Sequence, residues 1–238
     1  NMLKSKKDLY DLLRWWYKLS KEETIGDLPS GINRNHQIIK IQIGSNYYYI
    51  NADTTKKGVD QFLKNKENDW KIISSKLEYQ VVKKKDFLTI ANTIEDKVYF
   101  ILEGVFRLFI ELPEKDITID FGFPNKFLSS YSSFLMQLPS VSSIQSLTSS
   151  EVIFITRKDL YDIYKETTVG DAIGRLFAEE FFRYKSKREL SFMMETPTER
   201  YLNLLKEEPQ LILKIPQKFL ASYIGITPQA LSRIRGKI

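Results

Sequence analysis

The sequence has no cysteine and a single histidine, His36, among 238 residues. Without cysteine there can be no disulfide, thiolate nucleophile, iron–sulfur cluster or cysteine zinc site. One histidine also excludes multi-histidine metal sites. No run of about 18 apolar residues occurs, the length at which a helix can cross a bilayer. No signal-peptide core follows the start, because Asp8, Asp11 and Arg14 interrupt the apolar residues. The expectation is a cytoplasmic protein with no membrane partner, and Asn1 ahead of Met2 reads as a cloning remnant.

What is present is an ordinary globular balance, 42% hydrophobic and 28% charged residues, enough for one or two domains. Lys and Arg number 36 against 30 Asp and Glu, a formal charge of +6. Such a charge favours an anionic partner chiefly where it is concentrated.

Helical spacing is seen at residues 8–20, with Leu9, Leu12, Leu13, Trp16 and Leu19. His36 sits in a turn-like stretch. Ile39, Ile41 and Ile43 then alternate with polar residues, and Tyr47–Ile50 after Gly44-Ser45-Asn46 completes an expected hairpin. A helical pattern resumes over residues 59–77. From Glu78 to Thr156, β-branched and aromatic runs predict strands at Tyr79–Val82, Val98–Leu102, Val105–Ile110, Ile117–Phe123 and Val152–Thr156, an antiparallel sandwich or barrel. Ser-rich stretches occupy residues 129–133 and 140–150. Lys158–Lys165 reads as a short helix. A long one runs from about Val169 to 195 with Ile173, Leu176, Phe177, Phe181 and Tyr184 on its apolar face. At 1.5 Å per residue it is about 40 Å long, more than one small barrel can cover, so a second copy of the chain is its expected partner. Thr196-Pro197-Thr198-Glu199 reads as a capping box opening a new helix.

The last 23 residues are the most informative. Phe219, Leu220, Tyr223 and Ile224 form one helical face, Gly225 can turn the chain in the left-handed conformation, and Thr227-Pro228 caps the next helix. Two short helices with such a turn make a helix-turn-helix. From Pro209 to Ile238 the basic residues are Lys214, Lys218, Arg233, Arg235 and Lys237, with no acidic residue, so +5 of the formal +6 lies there. An acid-free basic surface suits the phosphates of nucleic acid. The start of a recognition helix reaches base edges in the major groove, which directs Pro228, Gln229, Ser232 and Arg233 to DNA. Gln suits adenine and Arg suits guanine, while Thr227 and the helix start suit a phosphate. Lys218, Arg235 and Lys237 complete the expected DNA-binding set.

The order of parts resembles the Crp/Fnr family of bacterial transcription regulators. Val98-Tyr99-Phe100-Ile101-Leu102-Glu103-Gly104-Val105-Phe106-Arg107 is similar to the family's strand-Gly-strand signature. The stretch from Ala221 to Arg235 resembles the helix-turn-helix of its Bacteroidetes-type branch. The resemblance implies an α+β chain. It has a cupin-like antiparallel β-roll (a double-stranded β-helix of the cyclic-nucleotide-binding type) at 67–166, a dimerisation helix at 167–195 and a helix-turn-helix at 196–238. Residues 1–66 form an N-terminal extension of unassigned role. It further implies a homodimer on a palindromic operator, with half-sites about 34–36 Å apart, and RNA polymerase as a further candidate partner. The protein is then not an enzyme. Acid pairs such as Glu179-Glu180 and Glu207-Glu208 are adjacent on helices and do not converge.

Three departures narrow these implications. The family's Gly-Glu and Arg-Ser pairs, which hold a cyclic nucleotide, align with Ser129-Ser130 and fall near Ser140-Val141. No Arg or Lys occurs between Lys126 and Arg157, so a buried phosphate would go uncompensated and the roll is degenerate for cAMP or cGMP. No cysteine or suitably placed histidine exists for redox or haem sensing, and no cofactor is expected. No wing hairpin follows the recognition helix before Ile238. An unidentified effector would sit between Phe127, Ser129, Ser130, Tyr131, Ser140, Ser142, Ser143 and the long helix at Phe177 and Phe181. The competing reading is a ligand- or protein-binding module whose helix-turn-helix is vestigial.

Overall fold

The structure, a computed structural model, describes residues 36–43, 46–53, 68–69, 71–207 and 209–237. The chain divides into two compact units, residues 1–75 with 166–168, and residues 76–165 with 169–238.

In the first unit, strands β1 (His36–Ile43) and β2 (Asn46–Asp53) pair antiparallel, with Ile39 opposite Ile50. The expected hairpin therefore forms. His36, expected in a turn, instead opens β1, because β2 continues to Asp53 and pairs with it. Residues 71–75 are helical. The buried Asp69 carboxylate accepts the backbone N–H of Thr168 at 3.1 Å and its hydroxyl at 2.5 Å. The helix expected at 8–20, and most of that expected over 59–77, lies outside the described residues.

The second unit is built on eight strands: β3 (Glu78–Val82), β4 (Phe87–Thr89), β5 (Lys97–Glu103), β6 (Phe106–Glu111), β7 (Asp116–Gly122), β8 (Phe127–Leu128), β9 (Ser143–Ser146) and β10 (Ser150–Thr156). They form two four-stranded sheets, ordered β3-β10-β5-β8 and β4-β9-β6-β7, and every pairing is antiparallel. Tyr99, Ile101, Val152 and Phe154 of one sheet share a core with Phe106, Leu108 and Ile144 of the other. Four consecutive residues of β5, Val98–Ile101, are buried, which explains why its sequence is apolar throughout instead of alternating. Gly104 joins β5 to β6 at φ +98°, and a Cβ there would lie 2.0 Å from the Ser150 hydroxyl oxygen. Only glycine fits this turn.

Three strands, β4, β8 and β9, and the short helix α1 (Tyr131–Met136) fall where the sequence offered little apolar pattern. In β9 the buried residues include Ser143 and Ser146, whose hydroxyls are hydrogen-bonded and so can enter a core without penalty.

The helices after the roll are α2 (Arg157–Glu166), α3 (Gly170–Met194), α4 (Pro197–Glu207), α5 (Pro209–Lys214), α6 (Gln217–Ile224) and α7 (Pro228–Arg235). The 25 residues of α3 extend about 38 Å. At the start of α4 the reciprocal cap is present: Thr196 N–H donates to Glu199 Oε2 at 2.7 Å, and Glu199 N–H to Thr196 Oγ1 at 3.3 Å. Among the described residues, no helix is long and apolar enough to cross a membrane.

Candidate nucleic-acid interface and its seat on the roll

The C-terminal helix pair is organised around α6. Leu220, Ala221 and Ile224 are buried, and Leu231 of α7 packs against them with no exposed surface. Ala221 has no exposed surface either, so the small residue lies where the two helices close on each other. Gly225 adopts φ +85°, and Ile226 N–H then donates to Ala221 O at 3.0 Å. Thr227 caps α7 by accepting Ala230 N–H at 3.2 Å, with Pro228 as its first residue. The left-handed Gly225 and the Thr227-Pro228 cap match what the sequence predicts.

Helix α7 keeps its other side clear. Thr227, Pro228, Gln229, Ser232, Arg233, Arg235 and Lys237 are all exposed, as is Lys218 on α6. Among the described residues, none of Lys218, Arg233, Arg235 and Lys237 is paired with a carboxylate. The start of α6 meets this side, since Gln217 Nε2 lies 3.2 Å from both Pro228 O and Ser232 Oγ.

The helix pair is fastened to the roll, which the sequence did not indicate. Strand β7 is an edge strand, and its outward backbone groups need partners. Ser222 of α6 supplies them: its Oγ accepts Thr118 N–H at 2.9 Å and donates to Asp116 O at 3.0 Å. Beside this contact the buried Arg107 lies between two rings, 4.2 Å from the centre of Phe109 on its own strand and 4.0 Å from that of Phe219 on α6. Its Nε donates to Thr118 Oγ1 at 2.9 Å and its Nη1 to Asp116 Oδ2 at 3.1 Å. Burial pushes the Arg107 guanidinium below its ordinary range, and Asp116 opposes the shift. A charge within the apolar run Val105–Ile110 was the one sequence signal that could have singled out this residue.

The far end of α6 is held by α3 and α4. Arg188 donates to Tyr223 O at 2.9 Å and stacks 3.7 Å from that ring's centre, while Arg200 Nε donates to Ile224 O at 3.0 Å. Cations at a helix C-terminus satisfy its free carbonyls and complement its dipole. Tyr184 donates to Asp120 Oδ1 at 2.7 Å, and its hydroxyl lies 3.3 Å from that of Tyr223. Burial, then the Asp120 charge, raises the Tyr184 phenol well above its ordinary range, so it remains a donor.

The residues expected to line an effector pocket do come together, in two groups. Phe127, Tyr131, Phe177 and Phe181 pack ring against ring, with centroids 5.2 Å apart for Phe127–Phe177 and 4.6 Å for Tyr131–Phe181. The serines bond to the protein itself. Ser140 Oγ donates to Ser142 O at 2.7 Å, so the 2.7 Å contact between Ser130 Oγ and Ser140 Oγ is donated by Ser130. Ser142 Oγ, 3.3 Å from Ser130 Oγ, closes the chain. Ser129 donates to Lys97 O and Ser143 to Glu111 Oε1. Nearby, the buried Glu95 accepts the Thr89 hydroxyl and Lys97 N–H, and burial pushes its carboxyl above the usual range.

Residues 79–167 match the family model of the cyclic nucleotide-binding domain. No curated protein matches this sequence. Among solved structures, FixK2 from Bradyrhizobium japonicum aligns at 14% identity over 68% of this chain and 83% of its own, with a TM-score of 0.58. A regulator assigned to the Crp/Fnr family, from Eubacterium rectale, aligns at 19% identity over 71% of this chain and 82% of its own, TM-score 0.56. CLP, the c-di-GMP responsive global regulator of Xanthomonas campestris, aligns at 13% identity over 72% and 90%, TM-score 0.55. The antiparallel roll with its flanking helices is thus the cyclic nucleotide-binding fold, which these solved structures share.

Proposed function

We propose that the chain is a sequence-specific DNA-binding transcription regulator that acts as a homodimer. In this reading the roll is the sensor, α3 the dimerisation helix, and α6 with α7 the helix-turn-helix. The observation that carries it is the outward side of α7. Gln229, Ser232 and Arg233 are exposed there within a segment, Pro209 to Ile238, that has five cations and no acid. Such a surface can neutralise phosphates and read base edges together. Selection of bound sequences from random DNA tests it. The expected result is an enriched palindrome bound in a salt-dependent manner. No salt-dependent binding to any sequence would favour a ligand- or protein-binding module with a vestigial helix-turn-helix.

Dimerisation is supported by apolar side chains left uncovered on α3. Phe182 is 73% exposed, Met193 72% and Met194 79%. Phe182 and Met194, with Leu190 and Leu202, border a groove between α3 and α4. Sedimentation should give a dimer, and a double Phe182→Glu, Met193→Glu variant a folded monomer.

The serine chain supports a roll that does not bind cAMP or cGMP. The hydroxyl hydrogens of Ser130 and Ser140 are spent within the protein, and no cation stands between Lys126 and Arg157 to balance a phosphate. Calorimetric titration with cAMP should give no saturable heat at micromolar concentration. Any effector would act by binding one dimer form better than the other.

A further inference from the structure

We propose that Gln217 is a positioning residue that makes Ser232 a hydrogen-bond donor toward DNA. The inference rests on the DNA-binding reading above. Gln217 begins α6, and its Nε2 lies 3.2 Å from Pro228 O and 3.2 Å from Ser232 Oγ. A carbonyl oxygen can only accept, so the contact with Pro228 sets which way the Gln217 amide faces. Its NH2 group is turned to α7, and one hydrogen serves each acceptor.

The consequence concerns the serine's own proton. A serine within a helix can give its hydroxyl hydrogen to the carbonyl four residues back. For Ser232 that carbonyl belongs to Pro228, the one Gln217 occupies. Ser232 Oγ is meanwhile an acceptor for the same amide. Its hydrogen is therefore displaced from that partner, and among the described residues no bond donated by this hydroxyl is found. Ser232 is exposed, next to Arg233 and three residues after Gln229. A freed donor at that point suits an acceptor on DNA: guanine O6 or N7, adenine N7, thymine O4 or a phosphate oxygen.

The test compares wild type, Gln217→Ala, Ser232→Ala and the double variant. Each is measured on the selected operator and on a panel carrying every single-base change, at two salt concentrations. Each single variant should weaken operator binding about three- to tenfold, with the same profile across the panel. The double variant should be no weaker than the worse single one. A profile confined to one base pair assigns the acceptor to a base edge. A uniform profile with a reduced salt slope assigns it to a phosphate. Gln217→Glu should be worse than Gln217→Ala, since a carboxylate takes the Ser232 proton for itself. Melting temperatures should stay level across the set, which a merely structural role for Gln217 would not allow. Additive losses, or different profiles for the two single variants, overturn the proposal while leaving DNA binding intact. Failure of wild type to bind any sequence overturns the DNA reading and this inference together.

Discussion

The Arg107 guanidinium of the roll lies 4.0 Å from the centre of the Phe219 ring in the first helix of the C-terminal pair. The contact joins the element expected to sense to the element expected to read DNA. The Phe109 ring centre lies 4.2 Å from the same guanidinium, which donates from Nη1 to Asp116 and from Nε to Thr118. A buried charge is tolerable only with such partners, so the seam is specific and not merely greasy.

Removing one partner should expose that dependence. Asp116→Ala leaves Arg107 with one neutral hydrogen bond, and unfolding in urea should show a loss of about 1–3 kcal/mol. Arg107→Met, which keeps volume and removes the charge, should cost less than Arg107→Ala. Equal losses in the two variants would mean that the charge itself, and not its packing against the rings, carries the contact.

Ser222→Ala should be destabilising by about 1–2 kcal/mol, because Thr118 N–H and Asp116 O on the edge of β7 would both lose their partner. Hydrogen exchange checks the cause. The Thr118 amide should lose protection in the variant, while amides in β5 and β10 should not.

The pH response of Glu95 has a definite sign. Its folded-state pKa is raised, chiefly by burial, so the folded protein holds a proton there more tightly than the unfolded chain. Wild type should therefore gain stability relative to Glu95→Gln as pH falls through that raised value toward the ordinary carboxylate range. Below the unfolded value the difference should level off. Urea midpoints of the two proteins across this window decide it, and a gain in the opposite direction would refute the assignment.

On DNA, two cations should behave differently. Arg233→Ala, at a proposed base-reading position of α7, should cost about 1–3 kcal/mol and relax specificity at one base pair. Lys218→Ala, on α6, should weaken all sequences alike and lower the salt slope by about one. Binding isotherms at several salt concentrations separate the two.

Much of the fold was legible because it is written in short windows. The runs at Val98–Leu102 and Val105–Ile110, broken by Gly104, announce two strands and their turn. The stretch Thr196–Glu199 announces a helix start, and Gly225 with Thr227-Pro228 announces the break between α6 and α7. Elements that depend on distant partners were not legible. Ser143–Ser146 becomes a strand only because β4 and β6 flank it, and His36 joins β1 only because β2 is long enough to reach it. The expected reading residues are exposed, whereas the approach of Gln217 to α7 is not legible in the sequence, since it joins residues eleven positions apart.

The sequence by itself determined the local grammar: strand periods, caps, the left-handed glycines, and the gathering of positive charge after Pro209. These follow from interactions within a few residues. Only the tertiary structure decided that Ser222 would complete an edge strand 104 residues away. The same holds for Arg107 beside two rings, and for the serines at 130, 140 and 142, whose hydroxyls bond to one another and to the Ser142 carbonyl. Hydroxyls, guanidinium groups and edge amides bond to whatever the fold brings near, and that proximity is set by the packing of whole sheets and helices.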